Sequence, residues 1–129
     1  MQHSPGFVKL VEEIRKNIEE IEPAEVEQWL QSGKDFHLVD CRETDEWQAG
    51  HIPQAQHLSR GILERDIETY IPKMTDKIVV YCGGGYRSAL ATANLLKMGY
   101  RNVLSMTGGI RQWKEEGRDL QIPSPKASS

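Results

Sequence analysis
The sequence predicts an α/β fold, a parallel sheet with helices on both faces, from three observations. Short β-branched runs alternate with longer amphipathic ones along the chain, the pattern of repeated strand–helix units. One run, Ile78-Val79-Val80-Tyr81, is apolar throughout, as in a central strand covered on both faces. Three strand ends carry polar or glycine-bearing segments, at 40–42, 82–88 and 107–109. In sheets of this kind ligands bind beyond the carboxyl ends of the strands.

Taken in order, residues 7–18 place Phe7, Val8, Leu10, Val11, Ile14 and Ile18 at helical spacing, an amphipathic helix. Residues 21–22 read as a short extended piece. Pro23 then opens a helix carrying Val26, Trp29 and Leu30, and Ser32-Gly33 ends it; proline suits a first turn and glycine the position after a last one. A strand at 36–40, a helical turn at 45–49, a short strand at 55–58 and a helix at 63–71 follow. The strand at 77–81 leads into a helix at 87–97. Gly99-Tyr100-Arg101 turns into a strand at 102–106, and 109–116 is the last helix. The expected organisation is an N-terminal helix over 1–20, one domain over 21–120 and a flexible tail over 121–129, which ends in the polar Ser124-Pro125-Lys126-Ala127-Ser128-Ser129.

Composition narrows the function. A chain of 129 residues is one domain that can bury a core without disulfides or metals. Sixteen Lys and Arg against nineteen Asp and Glu give a net charge of −3, with both signs spread along the chain. That leaves no basic footprint for nucleic acid and no polybasic patch for anionic lipid. No apolar run approaches membrane-spanning length, and Met1-Gln2-His3-Ser4-Pro5 lacks the charged-then-apolar order of a leader. A cytoplasmic protein is expected. The two cysteines adjoin apolar strands, which fits a reducing compartment better than a disulfide framework. His3, His37, His51 and His57 show no zinc spacing with them, so no metal and no cofactor is expected.

Chemistry concentrates at Cys82-Gly83-Gly84-Gly85-Tyr86-Arg87-Ser88. A cysteine at a strand end is often only a small buried hydrophobe, and a glycine run often only a turn. The ordered combination is more specific. The glycines let backbone N–H groups approach the sulfur, and the positive end of the following helix points back into the loop. A thiol so placed should have a depressed pKa and carry thiolate, the nucleophilic form.

Three stretches, in order, resemble the rhodanese family of sulfurtransferases. They are Leu38-Val39-Asp40-Cys41-Arg42-Glu43 with Glu46-Trp47, Gly50-His51-Ile52-Pro53 and Ala55; the loop Cys82 to Arg87; and Gly108-Gly109-Ile110 with Trp113. The resemblance runs over about 21–117 and implies a rhodanese-like five-stranded parallel sheet flanked by helices. It also implies ping-pong transfer, in which Cys82 takes sulfane sulfur from thiosulfate or a persulfide, holds it as a persulfide and yields it to a thiol or protein acceptor. Gly83, Gly84, Gly85, Tyr86, Arg87 and Ser88 would form the binding loop. Arg87 either contacts an anionic donor or pairs with Glu46 or Asp40, and Asp40, Arg42 and Glu46 read as supporting scaffold. With no other cation in the loop, modest thiosulfate affinity is expected. Trp113 and Ile110 read as core, Tyr86 as facing the mouth, and His51 has no evident partner.

Loop length separates the rival enzymes. Cysteine phosphatases and arsenate reductases place five residues between Cys and Arg, whereas here there are four, the sulfurtransferase size in this fold. A non-enzymatic rhodanese-like interaction module is the other alternative, although such modules commonly lack the cysteine. Cys41 stands within an Asp-Cys-Arg sequence that the phosphatases sharing this fold also carry. It is either a redox partner that traps oxidised Cys82, or a small buried side chain facing the other way.

Overall fold
The computed structural model describes residues 3–123. Its elements are α1 (Pro5–Arg15), β1 (Glu19–Ile21), α2 (Pro23–Ser32), β2 (His37–Asp40), α3 (Thr44–Gln48), β3 (Gln56–His57), α4 (Arg60–Tyr70), β4 (Lys77–Tyr81), α5 (Tyr86–Met98), β5 (Asn102–Met106) and α6 (Gly109–Glu115). The five strands form one sheet in the order β1-β5-β4-β2-β3, and every pairing is parallel. The expected α/β class and five-stranded parallel sheet are both present.

β4 lies in the middle, and the apolar run explains why. Ile78, Val79, Val80 and Tyr81 are all fully buried, so consecutive side chains enter two cores rather than alternating between core and water. One core holds Ile78 and Val80 with Val39, Val103, Leu63 and Ile67 of α4, and Ala91 and Leu95 of α5. The other holds Val79 and Tyr81 with Leu38, Met106, Val26 of α2, and Ile110 and Trp113 of α6. Full burial of each such side chain contributes about 1.5–3 kcal/mol. Ile110 and Trp113 are thus core, as their spacing predicts.

Element boundaries moved where pairing overrode pattern. The apolar period predicts a first helix to residue 18, but α1 stops at Arg15 because Glu19 to Ile21 pair with Leu104 to Met106 of β5. Ile18 stays partly buried outside the helix, so it keeps the apolar pattern without the helical backbone. β1 therefore joins Glu19 and Glu20 to the sheet, ahead of the expected domain start at 21. α1 packs against α5 and buries Val11 completely.

At the other end, Gln121 exchanges two backbone hydrogen bonds of 2.8 Å with His51. That position was expected to belong to the tail; the polar stretch 124–129 lies outside the described residues. Among the described residues no helix is long and apolar enough to cross a membrane.

Candidate active site
β2, β4 and β5 are neighbours, so their carboxyl ends bring Asp40-Cys41-Arg42, Cys82 and Thr107-Gly108-Gly109 to one rim. Cys82 follows β4 and is almost fully buried. Its Sγ accepts backbone N–H bonds from Gly85 at 3.2 Å and Ser88 at 3.3 Å. Ser88 Oγ lies 3.6 Å from the sulfur and 2.8 Å from Ser105 Oγ. With a thiolate, the Ser88 hydroxyl donates to sulfur and accepts from Ser105.

The loop closes this way because Gly85, at φ +96°, precedes the first turn of α5 and lets the chain enter the helix directly from the loop. The start of α6 seals the loop from outside. Ile110 N–H donates to Cys82 O at 2.9 Å and Arg111 N–H to Gly83 O at 3.0 Å. These bonds turn the loop carbonyls outward and leave N–H groups facing the sulfur. Gly109 permits the contact: at φ +58°, a Cβ there would lie 2.5 Å from the Gly83 carbonyl.

Cys41 faces Cys82, not the opposite side. Register carries β2 beside β4, with Asp40 opposite Tyr81, and Cys41 and Cys82 share one core with Val39 and Val80. The neighbouring Cys41 thiol is the largest influence holding Cys82 well below the usual thiol range; burial opposes it, and Ser88 and the N–H groups of Ser88 and Gly85 assist. The neighbouring Cys82, with burial and the Cys82 charge, pushes Cys41 well above that range. The two pKa values are thus pushed apart, Cys82 down and Cys41 up.

This has a measurable sign. Thiolate is present above the folded pKa and lost as pH falls through it, so Cys82 should alkylate rapidly at pH values well below the ordinary thiol midpoint of about 8.5. Removing that thiol with Cys41→Val should move the alkylation midpoint upward. An unshifted midpoint in the iodoacetamide pH profile would show that Cys41 does not hold the charge.

Arg87 does not point at the sulfur's open side as an unpaired cation. Its guanidinium grips Glu46 through two bonds of 2.8 and 3.1 Å, and that grip pulls Glu46 down to about 2. The contribution of the depressed carboxylate is present above its ordinary value and lost only as pH falls toward 2, so the pair stays ionised at neutral pH. Asp40 is taken by Arg42, which reaches both carboxylate oxygens at 2.8–3.1 Å and also donates to Gly50 O at 2.7 Å. His51 donates from Nδ1 to Ile52 O at 2.9 Å and stacks on Trp47 at 3.7 Å, a packing role.

Sequence reasoning missed three contributors. Ser105 shares the inward face of β5 with Val103, and its polarity within an apolar strand was the available signal. Arg111 reaches over Gly84, its Nη1 3.6 Å from where a Cβ would stand. His3, just ahead of α1, and Phe7 of α1 lie beside Tyr86, and nothing local in the sequence ties that segment to the loop.

Comparison with known proteins places this arrangement. Residues 22–116 match the family described as Rhodanese-like domain. The chain belongs to the rhodanese-like domain family. A "Sulfurtransferase" of Allochromatium vinosum is 36% identical over 106 residues, covering 82% of this chain and 97% of that protein. The probable adenylyltransferase/sulfurtransferase MoeZ of Mycobacterium tuberculosis is 32% identical over 96 residues, 74% of this chain but only 24% of its own length. This rhodanese-like chain thus spans about a quarter of that relative. A solved structure from Rhodopseudomonas palustris, of a protein of unknown function described as a possible tyrosine phosphatase, superposes with a TM-score of 0.84 at 29% identity. It covers 94% of this chain and 98% of its own. α1 lies outside the rhodanese-like match.

Proposed function
We propose that this rhodanese-like chain is a sulfurtransferase that carries sulfur as a persulfide on Cys82. The observation that carries the reading is the buried Cys82 sulfur held by the N–H groups of Gly85 and Ser88. In the first half-reaction the Cys82 thiolate attacks the outer sulfur of a donor R–S–SH. The donor S–S bond breaks, its electron pair leaves on RS⁻, and Cys82–S–SH forms. From thiosulfate the leaving group is sulfite. In the second half an acceptor nucleophile takes the outer sulfur and returns the thiolate. Splitting the transfer lowers each barrier, and donors already aimed at the sulfur stabilise the persulfide anion without rearranging. The acceptor is a small thiol or a protein thiol, and a reducing compartment such as the cytoplasm suits a mechanism that needs free thiolate.

The phosphatase description of the Rhodopseudomonas palustris neighbour supplies a second reading. Against it, Arg87 is committed to Glu46 rather than turned inward, and the four-residue span from Cys82 to Arg87 makes a cradle small for a tetrahedral oxyanion. Intact mass of the reduced protein decides between them. Thiosulfate or glutathione persulfide should add one sulfur, and cyanide should remove it. No added sulfur, together with hydrolysis of p-nitrophenyl phosphate, would move the assignment to the phosphatase.

Cys41 has a protective part in the same proposal. Peroxide converts the Cys82 thiolate to sulfenic acid with release of hydroxide; the Cys41 thiol then attacks that sulfur, water leaves, and a Cys41–Cys82 disulfide remains. The placement of both buried cysteines in one core, at the ends of the neighbouring strands β2 and β4, supports this. Peptide mapping after peroxide should find the disulfide, and Cys41→Val should send Cys82 on to sulfinic acid. Sulfinic acid in the wild type with no bridge would end the idea.

A further inference from the structure
The cavity above Cys82 is larger and less symmetric than a small inorganic anion requires. It encloses about 380 Å³, bounded by Cys82, Gly84, Arg111, Tyr86, Phe7 and His3. That lies within the roughly 300–1,000 Å³ of pockets that enclose organic molecules, whereas thiosulfate is a sulfate-sized ion.

Its two sides differ in chemistry. One is an aromatic wall. Tyr86 stacks on Phe7 with centroids 5.6 Å apart and meets His3 at 4.3 Å, while His3 and Phe7 meet edge-on at 5.2 Å. The wall is braced from behind: Arg15 lies 5.0 Å from the Tyr86 ring and donates to Gly85 O at 3.3 Å, and Val11 anchors α1 in the core. The other side is a cation. Arg111 is exposed and, among the described residues, pairs with no carboxylate. Its backbone is pinned to Gly83 O, so its guanidinium stands over Gly84. The other cation lining the cavity, Arg87, is occupied by Glu46.

We infer that this cavity receives the organic body of the sulfur donor, with Arg111 binding a carboxylate on that body. The donor class is the persulfide of a small, carboxylate-bearing organic thiol. Its apolar stem lies along Phe7 and Tyr86, its outer sulfur descends to Cys82, and its carboxylate accepts the paired N–H groups of Arg111. The inference rests on the sulfurtransferase reading and adds to it the chemical identity of the donor. The expectation of modest binding of thiosulfate by a loop without a free cation is revised to this extent: a cation is present, supplied by α6 rather than by the loop.

The experiment compares glutathione persulfide with the persulfide of glutathione diethyl ester. Sulfur on Cys82 is read by intact mass as a function of donor concentration. Wild type should half-load at about a tenfold lower concentration of the acid than of the ester, the scale of one charge-assisted contact at a partly solvated site. Arg111→Ala should remove that preference, and Arg111→Lys should keep part of it. Lys114→Ala, one turn along α6 and outside this cavity, should leave the ratio intact, which separates a contact from general charge. Phe7→Ala should weaken both donors alike. Equal loading of acid and ester by the wild type, or a preference that survives Arg111→Ala, would overturn the inference while leaving sulfur transfer standing. A wild type that neither donor nor thiosulfate loads would overturn both.

Discussion
Replacing Cys82 by Ser should reduce sulfur transfer to the uncatalysed background, a loss of at least roughly a thousandfold, with the fold intact. The hydroxyl fits the space but does not ionise near neutrality, and the two N–H groups now aimed at sulfur cannot make an oxygen nucleophile of it. Cys41 cannot stand in. It is completely buried and its pKa is driven upward, by burial among other causes, and once its partner is gone that burial remains. The variant should show no sulfur in its intact mass and no thiocyanate on addition of cyanide, while its thermal midpoint stays within a few degrees of wild type. Turnover above the reagent blank would mean that another group carries the sulfur.

Asp40→Ala should be the most destabilising single change in the rim, by about 3–5 kcal/mol. Asp40 and Arg42 are both buried, and Arg42 directs its backbone N–H and its Nε and Nη2 groups to this one carboxylate. Removing the acid strands a guanidinium whose one other hydrogen-bond acceptor among the described residues is Gly50 O. Against a total stability of about 5–15 kcal/mol for a domain, the loss should be plain in urea unfolding. The double variant Asp40→Ala with Arg42→Leu should recover part of it, because the uncompensated charge is then gone. A single-variant cost below about 1 kcal/mol would show that water or a neighbouring group already compensates Arg42.

The central strand and its loop were legible because their signals are local. A short, β-branched apolar run bounded by Lys77 and the glycines reads as a strand buried on both faces, and a cysteine followed by glycines and a helix leaves few physical arrangements. The pairing of Arg87 was legible only as a choice between donor, Glu46 and Asp40. Sequence cannot rank contacts made across 41 residues, and the outcome depended on Arg42 having already claimed Asp40. The direction of Cys41 followed from strand register, which a four-residue strand does not announce. α1 was legible as a helix but not as a wall of the cavity. Its apolar stripe says only that something covers it, whereas the place of Phe7 beside Tyr86 comes from how α1 crosses α5.

The sheet also has unusually short margins. β1 has three residues and β3 two, and these are the outermost strands. A foreign strand laid along either side would find a ladder of one or two rungs, too little to hold it, so the molecule is guarded against edge-to-edge aggregation and strand addition. Macromolecules that meet it are therefore directed to its helical flanks or to the loop-bearing end of the sheet.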